Sequence, residues 1–270
     1  MFKGNYNFFD YKYNISGYTG QDYGSFAQSL YLIISIILLI GILILLRKIS
    51  KEKVIKIVKF TGIFLIIFYI VKTSWESYYD IKLNGSFNTG LLPFDTCSII
   101  MWACLIGGFS KGKIQKYALS WLTTGGIVGG LGAMLYLNAF KYYPFFSFGA
   151  FYSMIWHLLM VFTGLLLIVT KTVSLKYDIV VYGFIFHLII SLFVIPIDII
   201  YNFDFMLYLN LGGIPLFESV ADKLSLLGLG LLNPLLMLLL YFISFNIIYF
   251  VYMILYKISN SHFMSFINNR

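Results

Sequence analysis

Residues 26–46 read FAQSLYLIISIILLIGILILL, from Phe26 to Leu46, and are followed at once by Arg47-Lys48-Ile49-Ser50-Lys51-Glu52-Lys53. An apolar run of about 20 residues at ~1.5 Å rise per residue matches the ~30 Å hydrocarbon core of a bilayer. It is too long for the apolar region of a cleaved secretory signal. The 25 residues before it are polar and aromatic, without the basic start that such a signal carries. A basic cluster directly after the run is what holds a connection on the cytoplasmic side of a membrane.

The rest of the chain repeats this pattern. Of 270 residues, 60% are hydrophobic and 11% are charged, against about 25% charged in a soluble domain. A soluble protein so composed would expose apolar patches large enough to aggregate it. The pattern predicts an all-α bundle of seven transmembrane helices: Phe26–Leu46, Ile57–Trp75, Leu92–Phe109, Tyr117–Asn138, Phe146–Thr170, Ile179–Ile200 and Leu229–Tyr256.

Charge sets the orientation. The first connection holds Arg47, Lys48, Lys51, Lys53 and Lys56; the third holds Lys111, Lys113 and Lys116; the fifth holds Lys171 and Lys176; the tail holds Lys257 and Arg270. Most acids fall in the other connections: Asp10, Asp22, Asp80, Asp204, Glu218 and Asp222. Only an odd number of spans puts every basic segment on one side, and that side is cytoplasmic. The expectation is residues 1–25 outside, a transmembrane domain over 26–257 and a cytoplasmic tail over 258–270. The formal charge of +8 is thereby assigned to membrane orientation and not to nucleic acid. Within this plan Tyr201–Lys223 is an outside segment that is too apolar for a free loop. It is expected at the interface or folded back among the helices, where protein covers its backbone. The abundance of Lys, Ile, Phe, Tyr and Asn reads as a bacterial coding bias.

Several residues within the spans invite chemistry. Cys97 and Cys104 lie two helical turns apart, about 10 Å along an axis, so both are expected as free thiols. Asp95 suits the N-cap of the third span, which puts Cys97 in its first turn. A thiol there feels the helix dipole, while burial opposes its ionisation. It reads either as a small hydrophobe or as a nucleophile. His157 and His187 fall in mid-span, where an ionisable side chain faces the bundle interior and has a partner. Each is either a neutral hydrogen-bonding group or a general base. Asp198 and Asp204, at the outer end of the sixth span, either orient such a histidine or are solvated. His262 falls in the tail. Gly125, Gly126, Gly129 and Gly130 repeat small residues at intervals of four, the pattern of close helix contact. No metal-ligand spacing, phosphate loop or dinucleotide fingerprint occurs, so neither metal nor cofactor is expected.

Taken in order, the Leu92-Pro93-Phe94-Asp95-Thr96-Cys97 opening, the glycine-rich fourth span, Phe145-Phe146 with His157 and the Asp204-Phe205-Met206 segment resemble the YwaF-like family of bacterial integral membrane proteins. That family looks related to a vertebrate transmembrane acyltransferase of ether phospholipids. The resemblance covers roughly residues 90–225 and implies a catalytic pair: Cys97 as acyl acceptor and His157 as its base. Asp95 stands where the family has His, and Asp204-Phe205 where it has Asn-Tyr. Membrane lipids would be both surroundings and substrate, in the cell membrane. A transporter or substrate-binding subunit using His187 and Asp198, and a non-catalytic membrane protein, are the competing readings. The span boundaries put Cys97 about one turn deep and His157 about three turns deep. That gap of roughly 10 Å must close if the pair is to react.

Overall fold

The structure, a computed structural model, describes residues 6–11, 25–86, 89–135, 139–208 and 215–268. Among these residues it is all-helical, without strands. Helix α1 spans Phe26–Leu46, α2 Lys51–Asn84, α3 Ile99–Phe109, α4 Gly112–Thr123, α5 Gly125–Leu135 and α6 Ala139–Tyr142. Then come α7 Phe148–Val169, α8 Asp178–Tyr201, α9 Pro215–Leu226 and α10 Asn233–Asn268.

Six helical segments are long and apolar enough to cross a membrane: Phe26–Leu46, Lys51–Asn84, Gly112–Tyr142, Phe148–Val169, Asp178–Tyr201 and Asn233–Ile258. The chain is a multi-pass membrane protein. Its lipid-facing surface is continuous with the sequence pattern: α1 leaves Ile33, Ile36, Ile37, Ile40, Ile44 and Leu45 exposed. In water such a stripe would be a liability; in hydrocarbon it is solvated.

Local chemistry sets the ends. Ser25 Oγ accepts from Gln28 N at the start of α1, and Ser50 Oγ accepts from Lys53 N at the start of α2. Helix α2 ends at Gly85, whose φ of 71° is the left-handed conformation of a C-terminal cap. Helix α10 runs on past the expected span end to Asn268; the side chain of His262 lies outside the description.

The expected third span differs most from the sequence reading. Residues 89–98 do not begin a helix at the membrane surface. They form two short 3-10 turns, Thr89–Leu91 and Thr96–Ser98, that lead into α3. The apolar helical segment Thr96–Phe109 is shorter than the six spans. Pro93 explains the delay, since the residue before a proline is biased away from helix. Asp95 takes the N-cap position of the second turn but makes no side-chain capping bond; only its carbonyl accepts, from Ser98 N at 2.8 Å.

The fourth span is broken at Thr124 (φ −117°, ψ −80°). A break within hydrocarbon requires other donors for the freed carbonyls. Thr123 Oγ1 and Thr124 Oγ1 both donate to Ser120 O, at 2.8 and 2.9 Å, and the Tyr252 hydroxyl donates to Thr123 O at 3.0 Å.

Helix association in lipid rests on close packing more than on expelling water. At Gly108 an added Cβ would lie 2.5 Å from Lys59 Cα, so α3 and α2 touch backbone to backbone. At Gly164 it would lie 2.4 Å from Leu122 O, which seats α7 directly on α4. The main core joins α2, α3, α4, α7, α8 and α10 around Trp121, Met160 and Phe245. Residues after α8 join it: Phe205 is 6% exposed, and Met206 and Tyr208 are 0% exposed. The 209–214 part of this segment lies outside the described residues.

A second cluster closes the opposite end from the basic connections. Trp75 Nε1 and the Tyr79 hydroxyl both donate to Phe9 O, at 2.9 and 3.3 Å, and Phe148 N donates to Phe8 O at 2.7 Å. The short 6–11 segment therefore caps the first turn of α7. Tyr11, 2% exposed, stacks on Tyr79 and donates to Asp80 Oδ1 at 3.2 Å.

Candidate functional site

Cys97 sits in the Thr96–Ser98 turn, half-buried and not in a disulfide. Its carbonyl accepts from Trp156 Nε1 on α7 at 2.9 Å. Thr96 beside it donates to the Tyr241 hydroxyl of α10 at 2.6 Å, and that hydroxyl donates to Met206 O at 3.3 Å. Three separate elements thus hold the turn: α7, α10 and the segment after α8. Tyr152, Tyr241 and Asp95 lie within electrostatic range of the thiol. Cys104 is different in kind. It is fully buried against Gly62, where an added Cβ would come within 3.0 Å of its own Cβ. It is a core residue.

His157 follows Trp156 on α7. Its Nδ1 lies 2.7 Å from the Ser153 carbonyl and 3.3 Å from Ser153 Oγ. A carbonyl only accepts, so Nδ1 carries the proton and the lone pair is on Nε2. Nε2 has no hydrogen-bond partner among the described residues. The His157 backbone faces α5, where a Cβ at Gly130 would meet His157 O at 3.1 Å. The Thr96–Ser98 turn also packs on α5. Cys97 and His157 are not hydrogen-bonded to each other; their elements meet at α5 and through Trp156.

The Cys97 carbonyl thus lies within one tryptophan side chain of the third turn of α7.

His187 on α8 is fully buried with both ring nitrogens engaged. Trp121 Nε1 donates to its Nδ1 at 3.3 Å, so Nε2 carries the proton and meets the Tyr208 hydroxyl at 3.4 Å. Tyr208 in turn bonds Ser191 Oγ, which donates back to His187 O at 2.8 Å. The Tyr241 ring lies 4.2 Å from the imidazole, centroid to centroid. The circuit closes on itself and ties α4, α8 and the segment after α8 together.

Asp198, 0% exposed, accepts from Phe205 N at 3.2 Å through Oδ1, with Met206 N also in range of the carboxylate; its Oδ2 is buried with no close hydrogen-bond partner among the described residues. It anchors the returning segment and not a histidine. The Asp204 carbonyl accepts from Leu207 N at 3.3 Å. Asp95 lies within electrostatic range of Lys72, Asp198 and Glu76. Lys72 and Glu76 form an ion pair one turn apart on α2, with side chains 23% and 12% exposed.

The glycines divide by what surrounds them. A Cβ at Gly130 would lie 2.8 Å from Val161 Cγ2, and at Gly129 it would lie 3.1 Å from Met160 Cε, both on α7. At Gly125 it would strike the Trp121 ring at 2.6 Å, whereas Gly126 has ordinary room at 3.7 Å.

The TMEM164 family model matches residues 23–257. The chain belongs to the TMEM164 family. No curated protein and no solved structure matches it. Among the described residues of this TMEM164 member, no group of three or more His, Cys, Asp and Glu could hold a metal ion.

Sequence reasoning passed over the aromatic residues that position the site: Trp156, Tyr241, Trp121 and Tyr208. The signal was available. A Trp or Tyr in mid-span carries one polar atom that must find a partner, and Trp156 directly precedes His157.

Proposed function

We propose that the chain is a membrane-embedded acyl-transfer enzyme acting on lipids, with Cys97 as nucleophile and His157 as base. The observation that carries this reading is the Trp156–Cys97 hydrogen bond, which joins the cysteine turn to the helix of a histidine whose Nε2 is unengaged. An activated thiol needs a base within hydrogen-bond reach, and a histidine held through Nδ1 presents Nε2 in the required tautomer.

The steps balance as follows. His157 Nε2 takes the Cys97 proton. The thiolate attacks the carbonyl carbon of a lipid ester, an S–C bond forms, the C–O bond breaks, and the departing alcohol takes the proton from His157. An acceptor hydroxyl then gives its proton to Nε2 and attacks the thioester. A new ester forms, and Cys97 leaves as thiolate and is reprotonated. The substrate enters sideways from the lipid. Under this reading the Thr96–Phe109 segment completes a seventh crossing, the N-terminus is outside and the tail is cytoplasmic. The reaction then belongs to the outer half of the cell membrane.

Transport draws its support from the broken fourth span, but the carbonyls freed there are taken by Thr123, Thr124 and Tyr252.

The test is thioester formation in proteoliposomes from a phospholipid bearing an alkyne-tagged acyl chain. Label should appear on the wild type and on Cys104→Ala and be released by hydroxylamine. Label that persists on Cys97→Ala would sink the proposal.

A further inference from the structure

At the end of the bundle opposite Cys97, the first, third and fifth connections come together around one cleft. Lys51 at the start of α2, Lys116 in α4 and Lys171 after α7 line it, with Gly112, Thr172 and Ser174 between them. Its volume is about 300 Å³, room for roughly ten waters. The three lysines lie far apart in sequence, and only the fold makes them neighbours.

Their charges are unevenly matched. Lys116 Nζ is paired with Asp178 Oδ2 at 2.7 Å. Among the described residues Lys51 and Lys171 have no ion-pair partner, and Glu52 beside Lys51 forms none either. Two uncompensated ammonium groups on one cleft repel each other and concentrate anions.

The backbone adds donors. Helix α4 begins on this cleft at Gly112, and its N-cap Lys111 supplies no side-chain acceptor, so the first-turn amides are open to an anion. Lys171 itself has φ of 53°. The left-handed position after a helix ordinarily takes Gly or Asn. A lysine held there puts a cation on the cleft at a cost in backbone strain.

We propose that this cleft is a binding site for a dianionic phosphate group, seated between Lys51 and Lys171 over the first turn of α4. The shared chemistry is a terminal phosphate group able to carry two negative charges. Two sources present it, the headgroup of an anionic lipid in the adjoining leaflet and soluble phosphate. Basic pockets between transmembrane helices at the cytoplasmic face are suited to the first. The site is independent of the acyl-transfer reading, since it lies at the other end of the bundle and its test reads binding.

The experiment measures the thermal unfolding midpoint of the full chain in three settings. The first is detergent with inorganic phosphate against chloride at matched ionic strength. The others are phosphatidylcholine nanodiscs with and without phosphatidic acid. An upward shift with inorganic phosphate assigns a soluble ligand; a shift with phosphatidic acid alone assigns the lipid. In either case Lys51→Gln and Lys171→Gln, each alone, should lose most of the shift. Lys257→Gln, which removes an exposed charge at the same end on α10, should keep it. Two results overturn the site: no shift in any arm, or equal loss in all three variants. Because each variant changes one exposed side chain, failure to fold does not confound the comparison, and the wild-type arms decide on their own.

Discussion

His157 and His187 are the two histidines of the membrane interior, on consecutive membrane-crossing helices, and their surroundings give them opposite capabilities. His187 spends both ring nitrogens, accepting from Trp121 and donating to Tyr208. Protonating or deprotonating it would break one of these bonds in a site with no water to replace it. His157 spends one nitrogen on the carbonyl of Ser153, one turn back on its own helix, and keeps the other. The first is a joint between three elements; the second keeps a lone pair on Nε2. His157 is partly buried and His187 fully buried, and the number of engaged nitrogens separates them further.

The sharpest way to break the contrast is by activity. Cys97→Ala and His157→Gln should each lower acyl transfer by at least ~10²-fold, with the unfolding midpoint almost unchanged. If His157→Gln stays active while His187→Gln does not, the roles are reversed.

The next effect is on stability. His187→Leu leaves Trp121 Nε1 without its acceptor and the Tyr208 hydroxyl with Ser191 alone, at a cost of about 1–3 kcal/mol. His157→Leu leaves behind only a Ser153 carbonyl already within helical reach of its own ladder, and should cost less than half as much. Chemical denaturation in mixed micelles measures both.

A third experiment acts on the seat of His157. Gly130→Ala drives a methyl to within 2.8 Å of Val161 and 3.1 Å of His157 O. It should destabilise by about 1 kcal/mol or more and lower transfer further than that loss explains. Gly126→Ala, with 3.7 Å of room, is the control and should be nearly silent in both assays. The smallest effect is expected at the helix break. Tyr252→Phe removes one hydroxyl from Thr123 O and should cost about 0.5–1.5 kcal/mol, leaving transfer intact.

How much of this was legible in the chain differs from region to region. Helix α1 could be read to the residue, because an uninterrupted apolar run followed by lysines is a local property. The third and fourth spans could not. Nothing in Leu92-Pro93-Phe94-Asp95 says which helices the turns after it pack against, and nothing in Thr123-Thr124-Gly125 announces a break. Both depend on acceptors and donors that distant residues supply: Trp156 for Cys97 O, Tyr252 for Thr123 O. Asp198 was read as a candidate to orient a histidine, yet its carboxylate holds Phe205 N, a partner on the returning segment whose path hydropathy does not reveal.

By itself the sequence determined that this is a multi-pass membrane protein with free thiols and basic connections, because hydropathy, charge and the spacing of two cysteines are one-dimensional quantities that lipid and water read directly. Only the tertiary structure decided that the Cys97 turn meets Trp156, which histidine keeps a nitrogen free, and that Lys51, Lys116 and Lys171 share a cleft. Each of these depends on which groups, far apart in the chain, meet across a helix contact. In a membrane interior without water, those meetings are where polar atoms find their partners.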